Sequence, residues 1–461
     1  MTLTGPFSAR LRQWTGQPYG HFLNHRQIFS PDGKRAFYDT RNADPDIMVT
    51  SRIESIDLES GQTHVEYAVP SASGYGPGVG AVVVHPQRSH LLFIHGLWNC
   101  TADNPYSATR RFGALIDGTD MPIDHLTDHS RERKPVPFEG RWIAEGCPRG
   151  CLRGGTHAHS WSRDGQWASF TYNDHVMELR HRQRLGPPDL RTVGVVMFGD
   201  SELQIARLNH PAEPGRDIEN FLGVGWACIV AKVVENPKWG SDEIESAREE
   251  CWVEGRPWRT LAFVGRVRNL DGQAIDEVFV AEWKGNASTI DRFNLRINLR
   301  ELAPVDASGR LMPPPECEVR RVTYSQHRRF PGVSGPRNWL VASPDGRWVY
   351  FPMSDNQGIV QIARVDLDSG RIEPISELRT SIGNQIAIDS SGEWLTAICD
   401  GTPGLVSAHG GPWRPLLNDL SFSAVLSGAV HFLPDGSGWL VHGYPKNPNA
   451  HWLQLWTITL H

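Results

Sequence analysis

Apolar and polar residues alternate in short bursts along this chain, and each burst is preceded by a tight-turn signature. Phe29-Ser-Pro-Asp-Gly33 leads into Arg35–Tyr38, Val82–Pro86 turns through Gln87 and Arg88 into Leu91–His95, and Trp161–Gly165 leads into Trp167–Tyr172. The same grammar returns at Ser343–Gly346 before Trp348–Phe351, at Ser390–Gly392 before Trp394–Ile398, and at Leu433–Gly436 before Trp439–His442. Alternation with a period of two predicts half-buried strands, and the Asp-Gly turns predict their tight antiparallel connection. A degenerate copy spans Gly225–Lys232, Thr260–Val267 and Glu277–Trp283. The last three turn glycines, Gly346, Gly392 and Gly436, set a repeat of about 45 residues, the period of a four-stranded propeller blade. With the degenerate copy the count is seven. The expectation is therefore an all-β chain, a seven-bladed β-propeller with long inter-blade insertions, forming a single domain over residues 1–461, with a strand near Leu453–Leu460 helping to close the ring.

Wide spacings between some turns imply insertions. One covers Asn99–Arg141; another covers Asn236–Arg259 and carries an acidic, helix-compatible run at Ser241–Glu250. Pro313–Pro315 reads as a stiff connector. Composition supports the strand-and-turn reading, with 45 glycines, 33 prolines and 17 tryptophans among 461 residues. The net charge of −6, without a long basic run, argues against nucleic acid and anionic membrane as partners. Met1–Gln17 has no apolar run, and no later stretch reaches the roughly 20 apolar residues that span a bilayer, so a cytoplasmic location is expected. Seven scattered cysteines fit reduced thiols better than a disulfide framework; Cys147 and Cys151 are the only close pair.

Candidate chemistry concentrates in Arg153–Asp174. On a regular strand, His157 and His159 would project from one face about 7 Å apart. Such a pair could line a wet channel, ligate a metal, or perform metal-free acid–base work. The residues just upstream of each turn belong to the innermost strand of a blade and converge on the axis. They are Asn24, His25 and Arg26; His157 and His159; Arg337, Asn338 and Trp339; and Asn384 and Gln385. His327, Arg328 and Arg329 occupy the loop entering the fifth blade. Trp167, Trp348 and Trp394 are expected in the inter-blade core. No G-x-S-x-G, H-E-x-x-H or phosphate-cradling glycine loop occurs.

The S-P-D-G-x-W units resemble the TolB-type propeller repeat. Across nearly the whole chain, LRGGTHAHSWSRDGQWASFTYNDHVMEL, GSDEI, NQGIVQI and SGEWL resemble the YidR-type propeller family. More distantly, Thr156–Asp164 is similar to the T-H-x-H-x-x-S/T-x-D motif of oligogalacturonate lyases, cytoplasmic seven-bladed propellers whose two histidines bind manganese. That likeness implies a divalent metal, manganese or similar, at His157 and His159. This chain departs from the pattern at Gly154, where the lyases carry glutamine, and in Tyr75–Gly80, which lacks their further histidine. The resemblance implies β-elimination at a uronate in the axial pocket, with a small acidic saccharide as partner. In that reaction the carboxylate is neutralised, a base takes the C5 proton, and the departing O4 is protonated. Arg328 or Arg337 would clamp the carboxylate, a histidine among His157, His159 and His327 would act as base, and Trp339 would stack under the ring beside Asn24, His25, Asn384 and Gln385. Nitrogen donors from His25 or His327 and oxygen donors from Asn24, Asn384 or Gln385 would have to complete a metal site. The alternative is a non-catalytic propeller that serves as a protein-interaction or ligand-binding platform.

Overall fold

The repeated turns fold as their sequence requires. In a computed structural model describing residues 9–70, 72–116, 134–198, 217–284, 298–335, 339–417, 423–447 and 449–460, the turn glycines Gly33, Gly165, Gly346, Gly392 and Gly436 take φ between +68° and +78°. A side chain is strained there, which is why glycine recurs. In three of the turns the preceding serine hydroxyl donates to the turn aspartate, Ser30 to Asp32, Ser162 to Asp164 and Ser343 to Asp345.

Most of the described strands form antiparallel sheets in chain order, while the short strands Gly140–Trp142 and Cys151–Leu152 pair in parallel. The first has Arg35–Asp39, Arg52–Asp57 and Thr63–Ala68, with Phe22 and Phe29 bridged to its inner edge. The second has Val79–Val84, Leu91–Gly96, Arg111–Ile116 and Val136–Pro137; the third has Gly154–Trp161, Trp167–Asp174, Thr192–Phe198 and Gly225–Ile229. Ser246–Val253, Arg259–Arg268, Ala274–Trp283 and Cys317–Arg321 make the fourth. The fifth and sixth begin at Val341 and Ala387. The last joins Ala424–Phe432, Gly438–Pro445 and Gln454–Leu460 to the N-terminal strand Ala9–Gln13.

Each sheet packs on the next through its inner strands. Leu440 and Leu455 of the last sheet share a buried cluster with Leu23, Ile28, Ala36 and Tyr38 of the first. Most apolar area leaves water between sheets, the dominant favourable term in such a fold. Trp167 packs there as expected, in a cluster with Leu261 and Phe279 of the fourth sheet. Among the described residues helix is confined to His175–Arg182, capped by Asp174, and one 3-10 turn at Asp44–Val49. Among the described residues no helix is long and apolar enough to cross a membrane.

Two expectations need correction. Ser241–Glu250 does not form a helix; its second half enters the strand Ser246–Val253, where Ala247, Glu250 and Cys251 are buried. Side-chain burial between sheets overrides the helical preference of its glutamates. Gly225–Ile229 does not start the fourth sheet but ends the third.

The innermost strands share one irregularity. Those of the second, third, fourth and last sheets each contain a bulge, at Gly80/Val83, His157/Ser160, Arg248/Cys251 and Ser427/His431. The bulged residues Ala81, Ala158, Glu249 and Gly428 have φ of +54°, +58°, +59° and +76°.

Candidate functional site

The bulge in the third sheet decides where the two histidines go. His157 lies opposite Thr171 and Ser160 opposite Ser169, so three steps on one strand match two on its neighbour. Thr171 and Ser169 share a face, which places His157 and Ser160 on that face and turns His159 to the other. The expected same-face pair is therefore not formed; the single extra residue, Ala158, reverses the alternation.

His159 is fully buried on the side of the second sheet. Its Nε2 lies 3.0 Å from Thr156 Oγ1, which donates to Glu139 Oε1 at 2.5 Å; Gly113 N donates to the same oxygen at 2.8 Å. A Cβ on Gly113 would sit 2.7 Å from both Glu139 Oε2 and His159 Nε2, so the glycine leaves room for the pair. Burial pushes the Glu139 carboxyl up to about 7 and His159 down to about 3. Among the described residues Glu139 Oε2 and His159 Nδ1 have no hydrogen-bond partner.

His157 is half-buried and turned towards the fourth sheet. Burial first, then the positive charges of Arg111 and Arg191, hold it well below its ordinary value, so it stays neutral. Across the strand pair, Thr171 Oγ1 donates to Glu250 Oε2 at 3.0 Å. Glu250 is buried, its Oε1 has no partner, and burial raises its carboxyl to about 7. Its neighbours in charge are Arg26 and Glu249.

These surroundings do not fit a divalent ion. His159 points away from His157, guanidinium groups face the remaining imidazole, and no cluster of three or more His, Cys, Asp or Glu side chains suited to a metal occurs among the described residues.

The segment Asn24–Gln27 crosses to other sheets. Asn24 Nδ2 donates to the bulge carbonyl of Ala81 at 3.4 Å, and Asn24 Oδ1 is 2.9 Å from His25 Nδ1. His25 stacks on Trp339 with ring centroids 3.8 Å apart, and Arg26 donates to Leu340 O of the fifth sheet. Gln27 holds both backbone groups of Trp161, accepting from its N and donating to its O, each at 2.7 Å. Asn24, His25 and Trp339 are thus brought together, but Trp339 already has an aromatic ring against its face. Gln385 is buried with Oε1 unpartnered, and Asn384 beside it is half-buried.

His327 is exposed in its loop, and Arg328 Nη2 donates to the carbonyl of Ser354 at 3.1 Å. Neither is placed beside His157 by any contact. Arg337, with Asn338, lies outside the described residues. Sequence reading missed Arg111 and Arg191, whose charges act on His157, Thr171, which lies opposite it, and Glu250, to which Thr171 donates. Their only sequence signal is position, since each sits on or beside a strand of the second, third or fourth sheet.

The family described as a protein of unknown function (DUF3748) matches residues 78–213. The uncharacterized protein YidR of Escherichia coli (strain K12) is 30% identical over 442 residues, covering 93% of this chain and 94% of its own. Among solved structures, oligogalacturonate lyase in complex with manganese is similar at a TM-score of 0.50 and 10% identity, covering 99% of this chain and 94% of that one. That identity speaks to the fold alone, which is all-β and of propeller type. Puromycin hydrolase matches at a TM-score of 0.46 and 10% identity; this chain covers only 50% of its length.

Proposed function

Because the chain belongs to the family of YidR, with an all-β fold of propeller type, we propose that it is a single seven-bladed propeller over residues 1–461 whose axial pocket binds a small acidic saccharide and cleaves it by β-elimination. The observation that carries this reading is that His157 lies opposite Thr171 on one face of the third sheet and that Thr171 donates to Glu250, which sets an imidazole and a carboxyl around the same strand pair. One is an imidazole kept neutral, the other a carboxyl kept protonated to about 7, with Thr171 between them. Titratable groups whose environments shift them this far mark a candidate reacting site, with the neutral imidazole available as its base.

In the proposed reaction, neutral His157 takes the C5 proton, the electron pair forms the C4–C5 double bond, and the C4–O4 bond breaks. The imidazolium then returns its proton to the departing oxygen. Glu250 acts through Thr171 as a positioning group, presenting a neutral rather than anionic face to the site, so the enolate developing on the sugar meets no fixed negative charge there. The seven cysteines, none in a disulfide, support placing the protein in the cytoplasm.

The test is incubation with a panel of 4-linked uronate oligosaccharides, with the unsaturated product read by ultraviolet absorbance. Product formation that is lost in His157→Ala supports the reading, and silence across the panel sinks it. The second reading, a binding platform, has one observation in its favour: Trp239 and Leu270 are 63% and 70% exposed, on facing hairpin turns. Co-purification of a protein released by Trp239→Ser would favour it.

A further inference from the structure

The charges of Arg111, on the second sheet, and Arg191, just before a strand of the third, both act on His157, and among the described residues neither forms an ion pair. Arg111 opens the strand Arg111–Ile116 and is 8% exposed. Its side chain passes over Gly155, where a Cβ would lie 3.1 Å from Arg111 Cγ and 2.2 Å from the carbonyl oxygen of Ala108. Arg111 Nη1 donates to Tyr106 Oη at 3.1 Å, while its Nε is enclosed without a hydrogen-bond partner. Arg191 stands exposed just before the strand Thr192–Phe198. Asp189 and Glu249 act on it only at longer range, and it forms no ion pair among the described residues. Its neighbour Arg248 differs, being paired with Asp276 at 2.5 Å.

Two guanidinium groups close enough for their charges to act on one another, with donors left over, are destabilised until an anion joins them. The planar fork of each matches a carboxylate, and His157 lies within reach of both charges. We propose that Arg111 and Arg191 grip the carboxylate of an acidic sugar directly, so that this site recognises its ligand without a metal ion. The inference rests on the reading of the pocket as an acidic-saccharide site. It deepens that reading by assigning to two arginines the charge neutralisation that the manganese-binding motif would assign to a cation.

The experiment is calorimetric titration with galacturonic acid as the monosaccharide, which has no O4 substituent to eliminate, beside galactose, each with and without EDTA. Galacturonate binds at least about tenfold more tightly than galactose, and EDTA changes neither value. Arg191→Gln, an exposed position whose substitution does not threaten the fold, weakens galacturonate binding about tenfold or more and leaves galactose unchanged. Arg111→Lys also weakens it, because an ammonium keeps the charge and loses the fork. Equal or absent binding of the two sugars overturns the proposal, as does galacturonate binding abolished by EDTA and restored by manganese. Galacturonate binding without cleavage of any oligosaccharide defeats the elimination alone; cleavage that survives both arginine substitutions defeats the clamp alone.

Discussion

Replacing Glu139 by glutamine should change how stability depends on pH more than it changes stability itself. Glu139 is buried on the side of the strand Gly154–Trp161 that faces away from His157, and its carboxyl is raised by burial from 4.5 to about 7. Between those values the folded chain holds a proton that the unfolded chain has released. Stability therefore falls as pH rises from about 4.5 to about 7, and the loss is complete above that. At 1.36 kcal/mol per unit the ionised carboxylate costs roughly 3 kcal/mol. The Glu139→Gln variant keeps an oxygen to accept from Gly113 N and Thr156 Oγ1 and has no proton to lose. Near pH 4.5 it should match the wild type within about 1 kcal/mol. By pH 8 it should be more stable by roughly 3 kcal/mol, seen as a higher midpoint in urea and a thermal midpoint a few degrees higher. A difference between variant and wild type that is the same at pH 5 and pH 8 would refute the buried, protonated carboxyl, and one that grows towards acid would reverse its sign.

Gly113→Ala, which drives a methyl to 2.7 Å from Glu139 Oε2 and His159 Nε2, should cost about 1–3 kcal/mol in chemical unfolding; an unchanged midpoint would mean the pair does not pack there. Ala158→Gly relieves a φ of +58° and should stabilise by up to about 1 kcal/mol, whereas Ala158→Val should destabilise; the two shifting alike would argue against the bulge. The proposed elimination should lose kcat/KM as pH rises past about 7, because Glu250 is protonated below that value and ionised above it. Glu250→Gln should flatten that alkaline limb, and a limb left in place would remove Glu250 from the site.

Much of the architecture was legible because turns carry strong local chemistry. Ser30, Asp32 and Gly33 form a self-contained hydrogen-bonded corner, and its copies can be counted without knowing what packs where. The site was less legible for the same reason in reverse. Nothing in Thr156–His159 announces a bulge, since alanine at position 158 adopts a conformation that sequence reading grants to glycine. Alternation counted straight through it put His159 on the wrong face. Arg111 and Arg191 come from different sheets, so only the folded chain shows that both of their charges act on His157. His327 and Arg328 looked suitable by residue type alone, and type does not say which way a loop turns.

The pairing of Ala9–Gln13 with Gln454–Leu460 also sets a timetable for biosynthesis. Trp14, which follows that first strand, donates its indole N–H to Thr457, 443 positions later. At about 5–20 residues per second a ribosome needs roughly 20–90 s to supply the partner. Through that interval a strand edge made among the first residues must wait in solution without sticking to a neighbouring nascent chain. The waiting segment is only five residues long and carries Arg10 and Arg12, and brevity and charge are the means by which unpaired edges avoid such contacts.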